Sequence, residues 1–269
     1  MNLTDKVVVI TGGGSGIGRA LAQRVAQERP AGIAIADLNG EAATAAAEEI
    51  GAGAFGMRCD VTVEADNRTL LERAKREFGP VDVFFANAGV AIGTDEQTPD
   101  EVWDRSFAVN VRAHVIAARL LVPEWLERRS GCFVATASAA GLLTQIGGAP
   151  YAVTKHAAVA FAEWLSVTYG DRGIQVGCVC PMGVDTPMLQ LPGESGLGMS
   201  GPAVQSVIST GQVLQPPEAA EAIVKGVAEE RFLILPHPVA LEYFRRKAAD
   251  YDRWLAGMRR LRRNVESPV

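Results

Sequence analysis

Tyr151 and Lys155 stand four residues apart in Tyr151-Ala-Val-Thr-Lys155, inside a segment with helical spacing. That separation places both side chains on one face of a helix. A phenol with an ordinary pKa of about 10 is a poor base at neutral pH, and an adjacent ammonium favours its phenolate. Closing a gap of roughly two to three pH units takes about 3–4 kcal/mol of differential stabilisation, within reach of a close, partly buried charge pair. Ser138 ends the apolar run Cys132-Phe-Val-Ala-Thr-Ala137, thirteen residues before Tyr151. Its hydroxyl can hold the oxygen of a bound small molecule while Tyr151 exchanges a proton with it. A Tyr-x-x-x-Lys pair alone is a common helical coincidence, so its meaning depends on what surrounds it.

A second constellation opens the chain. An apolar β-branched run, residues 7–10, ends in Thr11-Gly12-Gly-Gly-Ser15-Gly16-Ile17-Gly18, and a helical pattern follows through Val25. The order is strand, glycine turn, helix. Glycine tolerates φ > 0 and lets a ligand approach the backbone. The unpaired N–H groups and dipole of the following helix suit a phosphate. The generic dinucleotide fingerprint G-x-G-x-x-G does not fit in any register, because the spacing is Gly12-x-x-x-Gly16-x-Gly18.

Asp37 closes the run Ile33-Ala-Ile-Ala-Asp37, nineteen residues after Gly18. An acid there accepts hydrogen bonds from a ribose diol and repels a 2′-phosphate, which points to NAD rather than NADP. Ser15 and Leu38 agree, since neither offers a positive charge. The alternative role for Asp37 is to cap the helix beginning near Glu41. Asp60-Val61 follows the third strand and can receive an adenine amine, or can be a turn pair. Asn87-Ala88-Gly89 follows the fourth, where small residues leave room for a cofactor to cross the sheet edge; an ordinary Asn-Gly-type turn looks similar.

Apolar β-rich runs at residues 7–10, 33–36, 54–59, 81–86, 132–137, 174–180 and 232–235 alternate with helical patterns at 41–50, 64–78, 100–128, 151–169 and 217–230. Nearly continuous apolar strands separated by helices predict a doubly wound α/β fold, a mostly seven-stranded parallel sheet of Rossmann type with helices on both faces. No composition break divides residues 1–269, so one domain is expected. Residues 187–216 form an insertion long enough to be a lid or a surface loop. In the tail, about 238–264, Leu241, Phe244, Ala248, Tyr251, Leu255 and Met258 step by threes and fours among many arginines. That stripe predicts a helix docked on the body or a sister subunit, with a membrane surface as the alternative.

The net charge of −5 speaks against nucleic acid as main partner. Four scattered cysteines read as buried thiols, and the three histidines lack metal spacing. No apolar run reaches membrane-spanning length, and a first strand beginning by residue 6 leaves no room for a signal peptide. A cytoplasmic protein is expected.

Taken together, residues 5–190 resemble the short-chain dehydrogenase/reductase family in its compact branch. Thr11-Gly-x-x-x-Gly16-x-Gly18 is similar to that family's cofactor motif, which accounts for the failed fingerprint. Asp60, Asn87-Ala88-Gly89, Asn110, Ser138, Tyr151 and Lys155 fall where the family pattern asks for them. The resemblance implies that Asn110, otherwise an ordinary buried amide, is a fourth catalytic member holding a water of a proton relay from Lys155. Pro181-Met-Gly183-Val184-Asp-Thr186 resembles the stretch beside the nicotinamide, with Val184 backbone and Thr186 hydroxyl on the carboxamide. Ala86 and Met182 depart from the family's usual asparagine and glycine. The implied activity is reversible NAD-dependent oxidation of a secondary alcohol to a ketone, in a homotetramer or dimer with residues 100–128 and 151–169 as interface candidates. Ala139 to Gly147, Met182 and the insertion, with Leu142, Leu143, Ile146, Met188, Leu189 and Leu191, suggest a largely apolar substrate. The alternatives are an NADPH-dependent ketone or acyl-group reductase and a non-catalytic NAD(H)-binding regulatory protein.

Overall fold

A computed structural model describes residues 1–190 and 199–266. Seven strands, β1 (Val7–Thr11), β2 (Gly32–Asp37), β3 (Ala54–Arg58), β4 (Val83–Ala86), β5 (Gly131–Thr136), β6 (Ile174–Val179) and β7 (Leu233–Ile234), form one sheet in the order β3-β2-β1-β4-β5-β6-β7. Every pairing is parallel. The expected doubly wound seven-stranded sheet is therefore present.

Strand side chains alternate between two cores, and the sequence of each helix matches the core it covers. Val7 and Val9 of β1 face the side of α3 (Glu64–Phe78), α5 (Ala113–Arg128) and α6 (Ala149–Tyr169), where Leu70, Leu121, Trp125, Ala162 and Leu165 are buried. Val8 and Ile10 face α1 (Gly16–Ala26), α2 (Gly40–Ile50) and α9 (Pro216–Ala228), where Leu21, Val25, Ala46 and Ile223 are buried. Both faces need apolar residues, which is why the strands read as continuous runs rather than alternating ones. The chain winds outward from β1 to β3 and then returns to place β4 on the other side of β1. That reversal opens a crevice at the carboxyl ends of β1 and β4.

Two expectations, the helix over residues 100–128 and the single stripe of the tail, are corrected. The helix expected over residues 100–128 is interrupted: α4 (Asp100–Phe107) and α5 are joined by a π-helical turn, Ala108–Arg112, centred on Asn110. Such turns insert one residue per turn and re-aim side chains at functional sites. The insertion carries α7 (Pro187–Gln190) and α8 (Gly201–Thr210), then returns to pair Leu214 with Val184 in a parallel bridge. Residues 191–198 of it, Leu191 included, lie outside the described residues.

The tail is two helices, α10 (Val239–Ala249) and α11 (Tyr251–Glu266), broken where Asp250 is extended at φ −152°. The break resets the helical phase. Ala248, Tyr251 and Leu255 are consequently exposed, while Lys247, seen from sequence only as one of the flanking basic residues, is buried. Its Nζ donates to the carbonyls of Leu142 and Leu143, both at 2.8 Å, and Phe244 packs on the core. The tail thus docks on the body. Among the described residues no helix is long and apolar enough to cross a membrane.

Candidate active site

The glycine turn is built around close approach. Gly12 has φ +63°, and a Cβ there would stand 2.8 Å from the Ala88 Cα. A Cβ on Gly18 would fall 2.1 Å from the Gly12 carbonyl oxygen and 2.6 Å from Asn87 Nδ2, so any side chain would break the turn. The turn is tied to neighbouring strands. Gly13 N–H donates to the Ala36 carbonyl at 3.0 Å, and Gly14 N–H to Asp37 Oδ2 at 3.0 Å. Asp37 does not cap α2: that cap is Asn39, whose side chain accepts from Ala42 N–H, while Asp37 Oδ1 accepts from Asn39 N–H. The alternative reading of Asp37 is thereby removed, and its carboxylate faces the crevice.

Asn87 does more than turn the chain. Nδ2 donates to the carbonyls of Thr11 and Gly12 at 3.1 and 3.3 Å, and Oδ1 accepts from the Thr136 hydroxyl at 3.2 Å. One amide therefore joins the ends of β1, β4 and β5. The Thr11 hydroxyl completes the knot, donating to Phe85 O and accepting from Asn87 and Ala88 N–H. Asp60 does serve its turn, Oδ1 accepting from the Thr62 N–H and hydroxyl.

Ser138 follows β5 after one intervening residue, Ala137, and caps the short 3-10 turn Ala139–Gly141, accepting from Ala140 N–H at 3.1 Å. α6 brings Tyr151 and Lys155 beneath it. The Tyr151 hydroxyl is hydrogen-bonded to Ser138, and the Lys155 Nζ donates to the Thr136 carbonyl at 2.8 Å, 5.7 Å from the centre of the phenol ring. Burial raises the Tyr151 pKa, opposed by the hydrogen bond from Ser138. Burial pushes the Lys155 ammonium down to about 8. In this arrangement burial is the largest influence on both groups, and the Lys155 ammonium is engaged by the Thr136 carbonyl.

Asn110 is fully buried behind the site rather than in its wall. Oδ1 accepts from Val90 N–H, and Nδ2 donates to Val90 O and the Thr154 hydroxyl, all at 2.9–3.0 Å. Thr154 donates onward to Pro150 O. A Cβ on Gly89 would stand 3.3 Å from both Asn110 Oδ1 and Lys155 Nζ, so this glycine keeps a gap open between them.

One cavity of about 1360 Å³ joins these parts. Gly12, Ser15, Gly16, Ile17, Gly18, Asp37, Leu38, Asp60, Val61, Asn87, Ala88, Gly89, Ser138, Tyr151, Lys155, Pro181, Gly183, Val184 and Thr186 all line it. Of the catalytic and cofactor-site residues singled out by sequence, Asn110 alone does not. The volume exceeds the ~300–1,000 Å³ of a single-ligand pocket, leaving room for a dinucleotide and a second molecule. A carboxylate at the end of β2, a bare-backbone turn and an N-terminal helix end form a donor and acceptor set that fits a dinucleotide cofactor. Leu143, Ile146, Met182, Met188 and Leu189 line the remainder; Leu142 instead sits in the core.

The segment carrying Met182 is firmly held. Met182 N–H donates to His237 Nδ1 at 3.2 Å, and His237 Nε2 bonds the Gln212 carbonyl at 3.1 Å. The ring is therefore neutral with its proton on Nε2, and burial lowers its pKa. Leu214 N–H donates to Gly183 O, and Asp185 N–H to Leu214 O. The methionine leaves this loop pinned at both ends. Sequence reasoning missed His237, Thr136, Thr154 and Lys247 because each acts across a distance in the chain that no local pattern encodes. It also missed the arginines that α11 brings to the cavity. Among the described residues no His, Cys, Asp and Glu cluster could hold a metal. All four cysteines are free and buried.

Residues 6–194 match the family described as short chain dehydrogenase. The 2,5-dichloro-2,5-cyclohexadiene-1,4-diol dehydrogenase of Sphingobium indicum is 33% identical over 226 residues, covering 83% of this chain and 90% of that one. The cis-2,3-dihydrobiphenyl-2,3-diol dehydrogenase of Pseudomonas putida is 33% identical over 213 residues, 77% of this chain and 75% of its own. A crystal structure of a short chain dehydrogenase/reductase from Burkholderia phymatum in complex with NAD superposes with a TM-score of 0.82 at 29% identity, covering 100% of this chain and 99% of that one. The chain belongs to the short-chain dehydrogenase/reductase family and is an oxidoreductase of that family.

Proposed function

We propose that this protein interconverts a secondary alcohol and a ketone with NAD(H). The observation that carries the reading is the convergence of Ser138, Tyr151 and Lys155 on one cavity whose far end holds Asp37 and the glycine turn. Gly12, Ser15, Gly16, Ile17 and Gly18 would hold the pyrophosphate, Asp37 and Leu38 the adenosine ribose, Asp60 and Val61 the adenine. Asn87, Ala88 and Gly89 would flank the crossing, and Pro181, Gly183, Val184 and Thr186 the carboxamide. When bound, the oxidised nicotinamide supplies the hydride acceptor and a positive charge beside the phenol.

Every other step belongs to the protein. Ser138 holds the substrate oxygen with its hydroxyl, which lies beside Tyr151. Tyr151 Oη takes the alcohol proton, and returns it in the reverse direction. Lys155 holds the cofactor ribose and favours the phenolate once its charge is retained, while Asn110 closes a relay through the gap beside Gly89. Asp37 repels a 2′-phosphate and supports NAD over NADP; the diol dehydrogenases among the relatives support an alcohol substrate. Exposed Phe107, Val153, Trp164 and Val167 on α4 and α6 support a homo-oligomer built on those helices.

Tyr151→Phe removes one hydroxyl from a packed ring. In an NAD-coupled screen of cyclic, aromatic, steroid and hydroxyacyl alcohols, kcat should fall by roughly 10²–10⁴-fold while NADH still binds. Retention of most of the turnover would refute the assignment, and tight NADH binding without turnover in the wild type would favour a regulatory protein.

A further inference from the structure

Four arginines stand in the cavity wall: Arg105 on α4, Arg246 on α10, and Arg253 and Arg260 on α11. They gather there in a chain whose net charge is −5. Arg246 is paired with Glu242. Among the described residues, Arg105, Arg253 and Arg260 have no carboxylate at ion-pair distance, although Arg262 and Arg263 of the same helix are engaged. Apart from Asp37 and Asp60 at the glycine-turn end, the acid lining the cavity is Asp250, whose Oδ1 accepts the Arg253 N–H at 3.0 Å.

Arg253 and Arg260 are seven residues apart, nearly two turns, and so share one face of α11 about 10 Å apart along the axis. Their neighbours Trp254, Met258 and Leu261 line the same cavity, which makes this face apolar and cationic together. Lys247 fastens the tail to the carbonyls of Leu142 and Leu143, just beyond the turn that Ser138 caps. The cationic face is therefore attached to the reacting end of the cavity.

We propose that Arg253 and Arg260, with Arg105, bind an anionic group carried by the substrate on an apolar body. Guanidinium groups free of acid partners recognise carboxylate or phosphate through paired N–H donors. This deepens the proposed function, resting on the cavity being the substrate pocket: the substrate is an alcohol or ketone with an apolar body and an anionic terminus.

The test reads binding, so it stands apart from the Tyr151 experiment. The NAD-loaded full chain is titrated calorimetrically with octanoate, octyl phosphate and octanol. It is compared with Arg253→Gln/Arg260→Gln and with Arg253→Lys/Arg260→Lys. At least one anion should bind the wild type at least tenfold tighter than octanol, and the anion that does so identifies the headgroup. The Gln pair should bind that anion and octanol alike, and the Lys pair should recover part of the margin, because charge survives but the planar fork does not. Equal binding of all three ligands to the wild type, or a margin that persists in the Gln pair, would overturn the proposal.

Discussion

Lys155 is buried as a charge, and the cost is measurable. Its pKa falls from 10.5 to about 8 on burial. At about 1.4 kcal/mol per pH unit, that gap is worth about 3 kcal/mol. Between pH 8 and 10.5 the unfolded chain keeps the proton that the folded chain has lost, so stability rises with pH across this window. The contribution is complete above 10.5 and is lost as pH falls through 8. Lys155→Met keeps the length of the side chain and abolishes the titration. It also strips the donor from the Thr136 carbonyl, a penalty of about 1–3 kcal/mol that does not vary with pH. The thiols of Cys59 and Cys132, pushed up to about 12 by burial, pull stability down as pH rises, but they do so in both proteins and cancel in the difference. Urea unfolding at one protein concentration, in steps from about pH 7 to 10.5, yields the stability of each. Wild type minus variant should climb by about 3 kcal/mol over that range. Parallel curves would refute the reasoning, and with it the picture of Lys155 as a desolvated charge.

Two further outcomes follow from specific contacts. Asp37→Asn keeps the shape but removes the charge facing the crevice, so the ratio of kcat/KM for NAD to that for NADP should drop at least tenfold, about 1.4 kcal/mol; an unchanged ratio would remove Asp37 from cofactor selection. Lys247→Met leaves two carbonyls without their cationic donor, each such bond worth roughly 1.5–3 kcal/mol. Proteolysis within residues 236–260 should accelerate and the substrate KM should rise more than the NAD KM, whereas an unaltered digestion pattern would show the tail to be held by other contacts.

The turn from Gly12 to Gly18, the acid at position 37 and the Tyr151–Lys155 pair were legible because short-range geometry sets them: glycine for close backbone approach, strand end for placement, four-residue spacing for a shared helix face. The seven strands were legible for a similar reason, since burial on both faces demands unbroken apolar runs. The tail was only half legible. Its periodicity reads as one stripe, but Asp250 breaks the helix and turns a basic residue, Lys247, inward while leaving Tyr251 and Leu255 outside. The helix across residue 110 failed likewise, because a π-turn changes no residue type.

The sequence by itself determined the doubly wound sheet, the glycine turn at its switch point and the shared helix face of Tyr151 and Lys155, all properties of local periodicity and backbone freedom. Only the tertiary structure decided how those residues are charged and what else faces them. Desolvation, which raises Tyr151 and lowers Lys155, depends on everything packed around the pair. The amide clamp of Asn87 across three strand ends, the retreat of Asn110 behind the wall and the arginine face of α11 arise from contacts between segments far apart in the chain. Such contacts follow from burial and packing in three dimensions, which no spacing along the chain records.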